Sequence, residues 1–186
     1  MILMSRASEL DSIAREIEKC RQCKINKTGK AVPGEGSPDA KVVFIGEAPG
    51  KKEAQAGRPF IGRSGKFLRE TIRGVGLKEE DVFITSPVKY LPVYGTPKKE
   101  DIAHGRIHLL EQLNVIKPKI IVLLGSVACK ALLEKSLQIK IEHGKIIKNS
   151  SCNYFITYHP AAIIRFPKLK GYFLDDFKKL KRIISK

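Results

Sequence analysis

The sequence predicts an α/β fold: a three-layer α/β/α sandwich around a mostly parallel central sheet. Three observations carry that prediction. Short, almost continuously apolar runs recur along the chain, as strands buried on both faces require. Segments with apolar residues at helical spacing separate these runs. Strands that alternate with helices in this way pair in parallel and carry helices on both sheet faces.

Residues 5 to 19 place Leu10, Ile13, Ala14 and Ile17 at helical spacing and lead into the turn Cys20-Arg21-Gln22-Cys23. From Asn26 to Asp39, three glycines and two prolines (Gly29, Pro33, Gly34, Gly36 and Pro38) interrupt regular structure. The run from Lys41 to Gly46 is the first predicted strand. A helix from Gly65 to Val75 follows, with Phe67, Leu68, Ile72 and Val75 in phase and Gly74 and Gly76 as terminators. Asp81 to Ser86 is the second strand, and Pro87 to Pro97 reads as a loop. A helix from about Glu100 to Lys117 stops before Pro118. Lys119 to Leu124 is the third strand, after which Gly125 and Ser126 open another helix. Residues 138 to 149 alternate around Glu142-His143-Gly144-Lys145, which predicts a hairpin with His143 as a solvated turn residue. The last strand, Tyr154 to Tyr158, runs into His159-Pro160, a loop through Pro167, and a final helix carrying Phe173, Phe177, Leu180 and Ile184 on one face.

With 186 residues, the chain is about 1.2 times the roughly 150 residues of an average domain, so residues 1–186 are read as one domain. Lysine and arginine number 35 against 19 aspartates and glutamates, and the net charge of +16 favours a polyanionic partner such as nucleic acid. Apolar residues make up 42% of the chain and are spread along it, which excludes a disordered basic tail. No apolar run approaches the roughly 18 residues that span a bilayer, and the first residues lack a charged region followed by a long apolar stretch. The expectation is a cytoplasmic protein with no membrane partner. Four cysteines are too few for a disulfide scaffold, and only Cys20 and Cys23 have a telling spacing.

In open α/β sheets, ligands bind beyond the carboxyl ends of the strands. That rule selects Gly46-Glu47-Ala48-Pro49-Gly50, Thr85-Ser86, Gly125-Ser126 and Tyr158-His159-Pro160, bringing a carboxylate, two hydroxyls and an imidazole to one rim. Glu47 stands where a general base or a water-orienting group is useful, in a tight turn whose glycines let backbone approach a ligand. In Gly57-Arg58-Pro59-Phe60-Ile61-Gly62 the aromatic is a stacking platform for a flat ligand.

Gly46-Glu47-Ala48-Pro49-Gly50 and Gly57-Arg58-Pro59-Phe60-Ile61-Gly62-Arg63-Ser64-Gly65, followed by Val88-Lys89 and His159-Pro160-Ala161, resemble in that order the motifs of the family-4 uracil-DNA glycosylases over nearly the whole chain. The resemblance implies an enzyme that flips a damaged base out of DNA and hydrolyses its N-glycosidic bond. Carried onto this sequence, it implies that Gly46, Phe60 and Ser86 face the base, with Phe60 stacking on it. Glu47 would hold the attacking water, and His159 would donate to the base O2. The loop after His159 would press into the minor groove with Ile163 or Ile164 as wedge and Arg165 near phosphate. Lys51, Lys52, Arg58, Arg63, Lys66 and Arg69, with Lys168 and Lys170, would face the backbone. DNA carrying a damaged base is the expected partner and a monomer the expected state; a sliding-clamp contact is not readable.

The sequence departs from the family twice. Where the family carries a base-reading Asn at the end of the second strand, this chain has Ser86, which leaves the preferred base open between uracil and a related deaminated base; loss of activity with retained DNA binding is the alternative. The family's iron–sulfur cluster takes four cysteines. Cys20 and Cys23 match the first pair, but the other positions align with Tyr90 and about Gly105, so the expectation is an absent or incomplete cluster, no cofactor needed for the chemistry, and packing by Tyr90 and Leu91 in its place. A Cys₂His₂ zinc site with His104 and His108 is the lesser alternative. Cys129 and Cys152 lie away from the family's ligand positions and read as incidental thiols. Arg106-Ile107-His108 is similar to a string of a uracil-crosslinking group, but it falls inside a predicted helix.

Overall fold

The computed structural model describes residues 4–185. In chain order, the elements are α1 (Arg6–Lys19), α2 (Arg21–Lys24), β1 (Lys27–Thr28), β2 (Glu35–Gly36), β3 (Val42–Ile45), α3 (Lys51–Ala56) and α4 (Arg63–Gly74). Next come β4 (Val82–Thr85), β5 (Leu91–Pro92), α5 (Lys99–Ile116), β6 (Ile120–Leu124), α6 (Ser126–Leu133) and α7 (Ile139–Glu142). The chain closes with β7 (Ile146–Ile147), β8 (Asn153–Thr157), α8 (Pro160–Arg165) and α9 (Lys170–Ile184). Single 3₁₀ turns at Glu79–Asp81 and Pro167–Leu169 complete the path.

A six-stranded sheet runs in the order β2-β4-β3-β6-β8-β7. The four inner strands are parallel, in register from Val42 beside both Val82 and Ile120, and the two-residue edge strands are antiparallel. Successive residues of each inner strand face opposite sides. Val43, Ile45, Ile121, Leu123 and Ile156 pack against Leu109 and Leu113 of α5 and Val127 and Ala131 of α6. Val42, Phe44, Val122, Leu124 and Phe155 pack against Leu68 and Ile72 of α4 and Phe173, Phe177 and Leu180 of α9. Both faces are therefore covered, which is why these strands read as unbroken apolar runs. Each fully buried Phe, Leu or Ile contributes roughly 1.5–3 kcal/mol. Because β4 and β6 flank β3 on opposite sides, the strand order switches at β3, and the crevice at its carboxyl end is the topological position for a ligand.

Three expectations need correction. Residues 138–149 do not form a simple hairpin: α7 comes first, and only Ile146–Ile147 pair with β8. His143 is not a solvated turn residue, because Nδ1 lies 3.1 Å from both carboxylate oxygens of the buried Asp176 and the ring packs on Tyr158. The segment after His159 is the short helix α8, which has Pro160 as its first residue and the His159 side chain as its cap. The two-residue β1–β5 ribbon and α3 were too short for a periodic signal.

Candidate active site

The carboxyl ends of β3, β4 and β8 surround a cleft of about 290 Å³ lined by Glu47, Pro49, Phe60, Ser64, Ser86 and His159, among others. The loop after β3 supplies Glu47, whose carboxyl group burial pushes above the usual carboxylate range. Gly46 carries no side chain because the Phe60 ring occupies that space: a Cβ there would lie 2.5 Å from Phe60 Cζ and 3.6 Å from His159 Nε2. Phe60 and His159 are neighbours, with ring centroids 5.9 Å apart.

His159 is held in one tautomer. The Ala161 amide donates to its Nδ1 at 3.2 Å, so Nδ1 carries the lone pair and Nε2 the hydrogen. Burial lowers its pKa to about 4, and the ring is neutral at pH 7. Gly125, at the end of β6, has φ 86°, and a Cβ there would stand 3.0 Å from His159 Cβ; its bare backbone leaves room for the imidazole. Ser86 is buried and donates its hydroxyl hydrogen to the Val88 carbonyl at 3.0 Å, which leaves its lone pairs for the cleft. Of the other rim hydroxyls, Thr85 turns to the Pro33 carbonyl at 2.8 Å, and Ser126 is exposed outside the lining.

The Phe60 loop is clamped by two residues that sequence reasoning missed or misassigned. Phe60 has φ 52°, an unusual backbone conformation for an aromatic residue. The buried Glu53 carboxylate of α3 accepts the amides of Ile61 at 2.8 Å and Gly62 at 2.7 Å. Arg69 of α4, expected on phosphate, instead donates to the carbonyls of Phe60 at 3.0 Å and Pro59 at 2.8 Å and pairs with Glu35 and Glu79. Gly65 lets α4 lie directly on this loop, since a Cβ would meet the Phe60 carbonyl carbon at 2.1 Å. Strain held by such contacts is a recurrent property of ligand sites.

The sequence profile of the Uracil DNA glycosylase superfamily matches residues 33–181. The chain belongs to that superfamily. Among similar curated proteins, the type-4 uracil-DNA glycosylase of Saccharolobus solfataricus is 40% identical over 95% of this chain and 87% of its own length. That of Archaeoglobus fulgidus is 36% identical over 95% and 94%, and that of Thermotoga maritima 34% identical over 99% of both.

Beside the cleft of this superfamily member lies a groove bearing Lys51, Lys52, Arg63 and Ile164, and it shares Glu53, Ser64 and Ala161 with the cleft. Lys66 is exposed on the same helix as Arg63. Arg58 is exposed but bound through two hydrogen bonds to Glu35, at 2.8 and 3.0 Å. Arg165 is exposed and stacks over Phe166. Ile163 is not available as a wedge: it is 3% exposed and packs among Phe173 and Leu68, because α8 turns it inward, whereas Ile164 faces the groove.

A four-cysteine cluster does not fit this chain. The Tyr90 ring is buried against Ile13, Ile17 and Cys23. At Gly105, a Cβ would come within 2.1 Å of the Pro87 carbonyl oxygen, so a cysteine there would displace backbone. Behind this region the Lys89 ammonium is buried on Pro33 O, Thr85 Oγ1 and Gln112 Oε1 at 2.7–3.0 Å, with its pKa lowered by burial to about 7. That network ties the end of β4 to α5 and to the loop before β2, and was not legible in the sequence.

Proposed function

We propose that the protein is a monofunctional DNA repair glycosylase that removes uracil from DNA and leaves an abasic site. The observation that carries this reading is the cleft at the carboxyl end of β3, where Glu47, Phe60, Ser86 and a neutral, oriented His159 line one space. The type-4 names of the relatives agree with it.

A base turned out of the duplex must be stacked and read by its edge. The Phe60 ring offers the stacking face. Ser86, already a donor to Val88, is left as an acceptor for the N3–H of uracil; cytosine has a lone pair at that position and is repelled. As the bond between sugar C1′ and base N1 breaks, its electron pair moves into the base, and negative charge grows at O2. His159 Nε2–H meets that oxygen without a proton being transferred, because a neutral imidazole is a weak acid. Glu47 orients water toward C1′. As the new C1′–O bond forms, the water's proton passes to the Glu47 carboxylate, and the departing uracil anion is protonated by solvent.

The groove of Lys51, Lys52 and Arg63 faces the phosphate backbone in this reading, with Lys66 and Arg165 flanking it and Ile164 as the wedge. DNA is the partner, and the protein acts as a monomer in the cytoplasm. Incubation with uracil-containing single- and double-stranded oligonucleotides followed by alkaline cleavage tests the reading. Product that disappears in Glu47→Ala and His159→Ala is expected. Binding without product on uracil, hypoxanthine and xanthine substrates would instead assign the chain to a non-catalytic paralogue.

A further inference from the structure

We infer that Cys20, Cys23, His104 and His108 bind a single Zn²⁺ ion in a closed tetrahedral site that joins the α1–α2 corner to α5. One donor atom from each residue lies within 4.8 Å of the other three. Cys20 ends α1 and caps α2, its sulfur accepts the Cys23 amide at 3.4 Å, and the turn brings both thiols to one side. His104 and His108 lie one turn apart on α5, with ring centroids 5.7 Å apart. Cys-x₂-Cys with His-x₃-His is the ligand spacing of structural zinc sites.

The independent observation is at His108. It is 8% exposed, and its Nδ1 lies 3.0 Å from Glu111 Oε2. Among the described residues, its buried Nε2 has no hydrogen-bond partner. A buried polar atom left without a partner forfeits its hydration with nothing in return, so native structures rarely leave one. A carboxylate on one imidazole nitrogen with a metal on the other is the usual arrangement around bound zinc: it fixes the tautomer and strengthens the ligand. Glu111 therefore prepares Nε2 to bind a metal.

Distance and charge select one ion over a cluster. Cys20 Sγ and His104 Nε2 are 3.2 Å apart. A tetrahedral zinc with ordinary bond lengths separates sulfur from nitrogen by about 3.6 Å. In a Rieske-type two-iron centre the two histidines hold one iron and the two cysteines the other, an arrangement at odds with a cysteine and a histidine in direct contact. Two thiolates and two neutral imidazoles make a zinc site with no net charge, suited to burial beside Ile17 and Tyr90. The inference rests on this donor geometry and does not depend on the reading of the cleft.

Elemental analysis of the full chain, purified without a metal-binding tag, tests it. About one zinc per chain, without stoichiometric iron or acid-labile sulfide, is expected. Cobalt substituted for zinc should give the visible bands of tetrahedral Co²⁺ and a thiolate-to-cobalt charge-transfer band. His108→Ala should lose the metal. Should that variant fail to fold, Glu111→Gln keeps all four ligands and should weaken zinc affinity about 10- to 100-fold. Stoichiometric iron and sulfide would overturn the inference, as would a metal-free protein whose Tm is unmoved by added Zn²⁺ or by a chelator.

Discussion

His159 and Glu47 have their protonation shifted in opposite directions, with opposite consequences for stability. Burial holds His159 neutral down to about pH 4 in the folded chain, whereas an unfolded histidine takes up its proton near 6.5. Between those values the unfolded state binds more protons, so stability falls as pH falls through the window. The urea midpoint of the wild type should therefore drop more steeply from pH 6.5 to 4 than that of His159→Gln. Glu47 has a raised pKa, so its ionised form costs stability at neutral pH. Glu47→Gln should raise Tm at pH 7, an advantage that fades below the ordinary glutamate range, while slowing uracil release by about 10²- to 10⁴-fold. Glu47, Ser86 and His159 were legible as cleft residues because strand ends in an α/β sheet point to a ligand crevice, and Phe60 because it is an aromatic between two glycines in the same rim loop. Glu53 and Arg69 were not: Glu53 lies between the motifs and drew no reading, Arg69 was assigned to phosphate with its basic neighbours, and only tertiary contacts show one holding amides and the other carbonyls.

At the level of elements, α3 and the Gly65–Arg69 side of α4 hold a loop. α3 is fewer than two turns long, and its buried carboxylate fastens Ile61 and Gly62 so that Phe60 stays in its left-handed conformation. Glu53→Ala leaves two amides unpaired and should cost about 2 kcal/mol or more, measured as a lower urea midpoint. It should also raise KM for a uracil oligonucleotide, because the stacking face is no longer fixed. The long helices and inner strands were legible from their periodicity, apart from shifts of a residue or two at the ends. The 138–149 region was misread because alternating isoleucines fit the short helix α7 and the following edge strand as well as they fit a hairpin. Between the two candidate wedges, only the turn of α8 discriminates, since it buries Ile163 and leaves Ile164 at the groove.

Across the whole molecule, the excess of positive charge is a property the sequence states outright, but its distribution depends on pairing. Arg58 and Arg69 are engaged with Glu35, while Lys51, Lys52 and Arg63 line the groove beside the cleft. DNA affinity should fall linearly with salt on logarithmic axes. Lys66→Gln and Arg63→Gln should each reduce that slope by about 1, and Arg58→Gln by less, as read by fluorescence anisotropy over a salt series. The cysteine total was the misleading whole-chain number. Four matches the ligand count of a cluster, yet Cys129 is buried in the core on the inner face of α6, and the two cysteines in ligand positions stand with histidines.

The most direct test of the central claim is the single-turnover rate of uracil release from an oligonucleotide by the wild type and by Glu47→Ala, with binding to the same oligonucleotide measured in parallel. Release by the wild type, a loss of at least about 100-fold in the variant and comparable binding by both would support the cleft as the site of hydrolysis. Equal rates in the two proteins, or no release by either despite tight binding, would contradict it.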